Sequence, residues 1–274
     1  MSLAVETIGA GATLQDGGRP GYRRYGVPVG GAFDRESLAL GNALVGNPPA
    51  APAIEFTVVG GRFRAVGHHR VAVAGADLDL TVNGTVASVR TPLELKPGDV
   101  LRLGTMRGGA RAYLCVAGGF EAELILGSLS GAPVSKDESL SVGPHIDLEN
   151  APEVLERARS APSSLSSRPL HIVPGPQRAA FPSGDLASRT YEVSAQCNRV
   201  GIRLSGPPLD VPDEAPSEPM CVGAVQITRD GLPVLIGPDG PTIGGYPKPA
   251  CVIEADWNRM AQLVPGDTVA FQWI

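Results

Sequence analysis

Three stretches of the sequence carry residue types at spacings that could do chemistry. In "GPDGPTIGGYPKPA" (237–250), Asp239 and Thr242 can hydrogen-bond a polar substrate, and Gly244 and Gly245 have no side chain to obstruct a ligand. Successive backbone N–H groups in such a glycine turn can form a concave nest for an anion. Lys248 adds a mobile positive charge, one of three lysines with Lys96 and Lys136. The same composition also suits a proline-fixed turn between two strands, and the residues alone leave the two readings even.

"CNRVGIRLSGPPL" (197–209) sets Asn198, Arg199 and Arg203 among apolar residues. Two guanidiniums that converge make an anion site; on a solvated strand edge they contribute little. "TLQDGGRPGYRRYGVPVGGAFD" (13–34) places Gln15, Asp16, Arg19 and Asp34 in a glycine-rich loop, and loops of this length usually have a function. The alternative is a surface Ω-loop in which Asp16 and Arg19 pair with each other.

Other chemistries find no support. No lysine has the glycines and following Ser/Thr of a Walker loop, so a nucleotide must be bound otherwise or by a partner. "GSLSG" (127–131) has Leu129 where a nucleophile elbow needs serine, which disfavours a serine hydrolase. His68, His69, His145 and His171 lack the helical i, i+4 spacing of zinc proteases; surface or capping roles are expected, and no metal site. Cys115, Cys197, Cys221 and Cys251 are far apart and mostly in apolar runs, reading as buried thiols rather than a disulfide framework.

A formal net charge of −5 offers no basic stripe for a phosphate backbone, so nucleic acid is not expected as a partner. The N-terminus lacks the basic head and apolar core of a secretory signal, and no run approaches about 18 apolar residues. A soluble cytoplasmic protein without membrane contact is expected. Gly 35 and Pro 26 punctuate regular structure too often for long helices, which points to a mainly β chain of many short strands.

The elements that would position these residues follow from local pattern. Residues 70–90 alternate around Asn83-Gly84, and 223–237 around Asp230-Gly231, each predicting a hairpin. "LELKPGDVLRLG" (93–104) and "AQLVPGDTVAFQ" (261–272) each put a Pro-Gly-Asp turn before an alternating strand, hinting at two β units. Few short helices are expected: one from an N-cap at Asp34 to Gly46, one after Asp256 with Trp257, Met260 and Leu263 facing the core, and a brief one through Glu153 to Arg159. The expected organisation is an N-terminal β unit over 1–147, a short helix and Ser/Pro-rich linker over 148–169, and a C-terminal β unit over 170–274.

Ordered along the chain are "QDGGRPGYRRYGVPVGGAFD", "GNALVGN", "IE", "AYLCVAGG", "LGS", "PGPQ", "NRVGIRLSGP", "SEP", "GAVQ", "GGYPK" and "AQLVPGD". In this series the sequence resembles the biotin-dependent carboxyltransferase-like family. That family includes the C-type subunit of bacterial 5-oxoprolinase, proteins labelled allophanate hydrolase subunit 2, and the carboxyltransferase part of urea carboxylase.

The resemblance implies a cyclophilin-like β-barrel architecture working with a homologous B-type subunit, and for oxoprolinase members a third component. It implies ATP-driven opening of a lactam or other small amide, with ATP and Mg held mainly by partner subunits. Arg199, Arg203, Lys248 and the N–H groups around Gly244 and Gly245 would stabilise anions, and Asp239 would act as anchor or base. Asn198, Gln226, Thr242, Tyr246, Gln15, Asp16 and Arg19 would line the substrate. Two alternatives are a carboxyltransferase using carboxybiotin on a urea-like or amide substrate, and a non-catalytic regulator that binds and antagonises its B-type partner. Relatives usually have Asp-x-Gln-Thr-Thr-Gly-Gly-Tyr-Pro where this chain has Pro241 and Ile243, Arg-Met-Gly where it has Arg199-Val200-Gly201, and Gln-Val-Pro where it has Gln226-Ile227-Thr228. The segment after "GSLSG" also differs, being "APVSKDESLSVG". These departures leave the substrate open.

Overall fold

The computed structural model describes residues 1–144, 168–181, 186–212 and 216–274. The expected helix through Glu153 to Arg159, most of the Ser/Pro-rich linker and His145 lie outside these residues. The chain divides into two compact units, Met1–Arg19 with Gly30–Ser164, and Pro20–Val29 with Leu165–Ile274.

The first unit is built on strands β1 (Ser2–Ile8), β2 (Thr13–Gln15), β3 (Ala53–Thr57), β4 (Gly61–Ala65), β5 (His69–Val82), β6 (Thr85–Ala87), β7 (Leu93–Leu95), β8 (Val100–Val116), β9 (Phe120–Glu121), β10 (Ala132–Pro133) and β11 (Ser139–Val142), with one helix among its described residues, α1 (Arg35–Leu44). They form one sheet in the order β10-β2-β3-β8-β4-β1-β11-β9, with β5 pairing β6, β7 and β8. Alternation drives it: β4 reads buried, exposed, buried, exposed, buried, which puts Phe63 inside beside Phe56, the two rings 5.9 Å apart and edge to face. Around them Leu3, Leu14, Ile54, Leu101 and Leu114 are fully or almost fully buried. The hairpin at Asn83-Gly84 forms as the sequence demands: both residues have positive φ, 51° and 80°, and Val82 faces Thr85. Helix α1 starts where expected, because an Asp34 carboxylate oxygen accepts from the Ser37 N–H at 2.9 Å.

The second unit contains β12 (Leu170–Pro174), β13 (Thr190–Cys197), β14 (Gly201–Ser205), β15 (Glu218–Pro219), β16 (Ala224–Ile227), β17 (Pro233–Ile236), β18 (Ile243–Gly244), β19 (Ala250–Val252), helix α2 (Trp257–Ala261) and β20 (Thr268–Trp273). Seven of these strands close a barrel in the order β12-β19-β16-β17-β14-β13-β20, while β15 and β18 pair as a separate two-stranded ribbon. The fold is thus mainly β with a closed barrel, as expected. Gly231, at φ 77°, turns the β16–β17 hairpin. The two Pro-Gly-Asp turns are the same object in both units: the aspartate carboxylate accepts from the backbone N–H three residues earlier, at 2.7 Å for Asp99 to Lys96 and 2.9 Å for Asp267 to Val264.

Helix α2 departs from expectation at its start. The Asp256 side chain does not cap it; the carboxylate accepts instead from the His171 N–H at 2.6 Å, faces His171 Nδ1 at 2.9 Å and takes a bond from Arg259 at 3.1 Å. The carboxylate is thus taken up by the His171 backbone N–H, the His171 ring and the Arg259 guanidinium, and is turned away from the start of the helix. Met260 is buried as expected, with Trp257 and Leu263 only half-buried. Of the described histidines, His69 is buried with Nε2 3.0 Å from the Ser2 carbonyl, while His68 is exposed.

Candidate functional site

The lysine of the 237–250 stretch is not mobile. Lys248 is buried in the second unit with its side chain 5% exposed, its Nζ 2.8 Å from Glu218 Oε1 and donating to the Pro219 carbonyl at 3.2 Å. An ammonium removed from water needs such a partner, because an unpaired buried charge is heavily penalised. Gln177 completes the arrangement. Its Oε1 accepts from the Lys248 N–H at 2.9 Å, and its Nε2 donates to the same Glu218 oxygen at 2.6 Å. These hydrogen bonds, from Lys248 first and Gln177 second, hold the Glu218 carboxyl below its ordinary range. Gly175 permits the approach, since a Cβ there would lie 2.2 Å from the Lys248 carbonyl oxygen.

Beside the lysine, β18 pairs Gly244 with Glu218. A Cβ on Gly244 would come within 2.8 Å of Gln226 Nε2 and 3.1 Å of Met220 Sδ, so the glycine is there for packing. Neither Gly244 nor Gly245 has the positive φ that an anion nest requires, and the expected nest does not form. Gln226 is buried and donates to the Tyr246 carbonyl at 3.4 Å, while Tyr246 and Ile243 are exposed, 42% and 62%. Thr242 uses its carbonyl to accept from the Met220 N–H at 2.9 Å.

At the other end of the stretch, Arg199 and Asp239 form a two-pronged ion pair, Nε to Oδ2 at 2.7 Å and a terminal nitrogen to Oδ1 at 2.9 Å. A carboxylate gripped this way is held in one orientation. Arg199 and Arg203 do not share a target: Arg203 is exposed on β14, opposite Val234, and its charge acts on Asp230 of the next hairpin. The reason is the turn at Asn198, whose Oδ1 accepts from the Val200 and Gly201 N–H groups at 2.8 and 3.2 Å and swings Arg199 off the strand. The segment 237–250 therefore runs from the arginine turn, where Gly237 N–H donates to the Val200 carbonyl at 3.0 Å, to the buried Lys248.

In the first unit, Gln15 and Asp16 form a second polar cluster with "GSLSG". Asp16 Oδ1 accepts from the Ser128 hydroxyl at 2.6 Å and the Gly18 N–H at 2.8 Å, and Oδ2 accepts from the Leu129 N–H at 2.8 Å. Gln15 Oε1 accepts from the Ser130 hydroxyl at 2.7 Å, and Arg19 donates to the Ser130 carbonyl at 2.6 Å. Asp16 and Arg19 thus both hold the 128–130 loop instead of pairing with each other. Nearby in sequence, Asp34 belongs to a buried network: its N–H donates to the Tyr113 hydroxyl at 2.9 Å, which donates to Glu55 at 2.7 Å. Arg111 lies 3.4 Å from the other Glu55 oxygen with its guanidinium over the Phe33 ring. Burial, with Glu55 second, pushes the Tyr113 hydroxyl pKa well up and keeps it a donor.

Of the four cysteines Cys115 alone is buried, under Gly41 of α1; Cys197 and Cys251 are half-buried and Cys221 is exposed, all as free thiols. The buried-thiol expectation holds fully only at Cys115; Cys197 and Cys251 are half-buried on their strands, and Cys221 is exposed because a turn carries it. Sequence reasoning about the site missed Gln177, Glu218, Glu55 and Ser128. Each sits in a stretch already noted, "PGPQ", "SEP", "IE" and "LGS", but none faces its partner until the chain is folded. No group of three or more His, Cys, Asp and Glu among the described residues could hold a metal ion. No helix among them is long and apolar enough to cross a membrane.

Comparison with known proteins places this geometry. The family model "Carboxyltransferase domain, subdomain A and B" matches residues 25–273. The chain is 33% identical to the C-type subunit of the Escherichia coli (strain K12) 5-oxoprolinase over 98% of its own length and 90% of that protein. It is 30% identical to the urea amidolyase of Lachancea kluyveri over 98% of this chain, but only 17% of that protein. Among solved structures, that of TTHA0988 superposes with a TM-score of 0.88 at 31% identity, covering 99% of this chain and 56% of that one. The Kluyveromyces lactis urea amidolyase gives 0.83 at 30%, covering 98% and 18%. A family-model match over residues 25–273, which takes in Lys248, Glu218 and the Arg199–Asp239 pair, makes this protein a member of the carboxyltransferase family of subdomains A and B.

Proposed function

We propose that this chain is the C-type component of a 5-oxoprolinase-type complex, an ATP-dependent hydrolase of a small cyclic or linear amide, active only with a separate B-type subunit and a third component. The observation that carries the reading is end-to-end correspondence with the C-type subunit of 5-oxoprolinase, 98% of this chain against 90% of the Escherichia coli protein. An unstrained lactam carbonyl is a weak electrophile, so its oxygen must be activated before water attacks. Phosphorylation from ATP supplies that activation, and the surrounding protein must then stabilise negative charge on the developing oxyanion and phosphate.

In this reading Lys248 is the catalytic cation, held ready by Glu218 and Gln177 where burial leaves little water to compete. Gln226, the Gly244–Tyr246 backbone and the exposed Tyr246 ring border the substrate there. Arg199 and Asp239 act as a fixed pair that orients polar substrate groups. The donor set here suits anions and not magnesium, so ATP and its metal are assigned mainly to the partner subunits. Mixing the chain with its B-type partner and the third component should give ATP hydrolysis that depends on 5-oxoproline. Absence of any stimulation sinks the reading.

The urea amidolyase matches favour a second reading, a carboxyltransferase acting on a urea-like substrate with carboxybiotin. Its mark is a biotinylated protein that co-purifies with the native complex.

A further inference from the structure

Cys221 and Cys251 are thirty residues apart in sequence, yet their sulfurs lie 3.7 Å from each other. The juxtaposition is built into the barrel. Cys251 sits in β19 opposite Ala224 of β16, and the turn before β16 closes with the Ala224 N–H donating to the Cys221 carbonyl, which folds Cys221 back over the neighbouring strand. Cys221 is exposed and Cys251 half-buried, both as free thiols. Two cations flank the exposed sulfur: Arg23, whose guanidinium is anchored on the Met220 carbonyl, and Lys248. The Cys251 sulfur, in contact with Cys221 and also within 3.8 Å of the Val222 carbonyl, completes the surroundings.

The pair is therefore unequal. The hydrogen bond from Cys251, then the Arg23 and Lys248 charges, bring the Cys221 thiol down to about 6, while the Cys221 sulfur and burial push Cys251 up. The exposed sulfur is the one inclined to ionise first, and its half-buried neighbour holds its proton more tightly. That is the arrangement of an attacking and a resolving thiol.

We propose that Cys221 and Cys251 form a peroxide-responsive dithiol, a reversible oxidation site beside the segment that holds Lys248. The Cys221 thiolate attacks a hydroperoxide; the S–O bond forms, the O–O bond breaks, and the departing alkoxide takes a proton to leave as an alcohol, or as water from hydrogen peroxide. The sulfenic acid on Cys221 is then attacked by the Cys251 sulfur, whose proton goes to the leaving hydroxide; the S–S bond forms, the S–O bond breaks, and water departs. Two thiols and one hydroperoxide give one disulfide, one alcohol and one water. Closing the sulfurs to about 2.05 Å moves the turn by less than about 2 Å. Cys221 follows directly on Glu218, Pro219 and Met220, the segment that carries both Lys248 contacts, so oxidation pulls on the lysine's counter-charge. The proposal rests on this geometry and not on the identity of the amide.

The test uses the reduced full-length protein and stoichiometric hydrogen peroxide. Intact mass should fall by two hydrogen atoms, recover with dithiothreitol, and peptide mapping should join residue 221 to 251. Cys251→Ser should halt at a Cys221 sulfenic acid that dimedone captures, and Cys221→Ser should keep its thiols at the same dose. Before oxidation, iodoacetamide should alkylate Cys221 at least ~10-fold faster than Cys197 at neutral pH, with a midpoint near pH 6. Unchanged mass, a disulfide to Cys197, a sulfenic acid on another cysteine, or an alkylation midpoint at the ordinary thiol value of about 8.5 overturns the proposal. The wild-type mass and mapping decide the matter even where a variant fails to fold.

Discussion

An ammonium 5% exposed, with one carboxylate and one carbonyl in contact, is an expensive thing to keep in a small barrel unless its charge is used. Lys248→Met should leave the fold intact by circular dichroism and lower 5-oxoproline-dependent ATP hydrolysis of the reconstituted complex by roughly 10²–10³-fold, the scale of removing one preorganised donor. Glu218 gives the pH signature. Its carboxyl is held below the ordinary range by Lys248 and Gln177, so the folded state gains from its ionisation above the ordinary carboxylate value and loses that gain as pH falls through the lowered one. Urea unfolding of wild type and Glu218→Gln should therefore separate at neutral pH, with wild type the more stable, and converge in acid. Lys248 itself was legible in the sequence as a rare lysine in an unusual turn. Its partners were not, because Gln177 and Glu218 lie 71 and about 30 residues away and meet it only through backbone pairing.

Elements whose cause is local were legible, and those whose cause is distant were not. Asn83-Gly84 dictates its hairpin, and Asp34 its helix start, within a few residues. Asp34→Ala should cost about 1–2 kcal/mol in denaturant unfolding, the upper part of the range for a lost N-cap, since the site is also buried. Asp256 has the same local signature as Asp34, yet its carboxylate turns to His171 across 85 residues, a competition that local pattern does not contain. The hold of Asp16 on Ser128 spans 112 residues and is equally hidden. Gly175 offers an element-scale test of the Lys248 site: Gly175→Ala drives a methyl into the Lys248 carbonyl and should cost about 1–3 kcal/mol of stability. It should also reduce turnover of the complex with Glu218 and Lys248 both still present.

At the scale of the whole molecule, the mainly β character was legible in the density of glycine and proline, and the repeated Pro-Gly-Asp turn does recur with one geometry in each unit. Closure of the barrel was not, because it depends on a pairing with no local sign: β12 and β20, the first and last strands of the ring, run parallel with Leu170 opposite Phe271. On the other side β20 runs antiparallel to β13, Tyr191 facing Val269, so one strand seals both neighbours. The seam is packed by the Tyr191 and Phe271 rings, 6.0 Å apart and edge to face. A hoop of staves has no loose margin, and taking out this one would create two at once, on β12 and on β13. Each would be a row of hydrogen-bonding groups open to pairing with another molecule, so loss of β20 should show itself as self-association into sheet-rich aggregates before any gradual loss of chemistry.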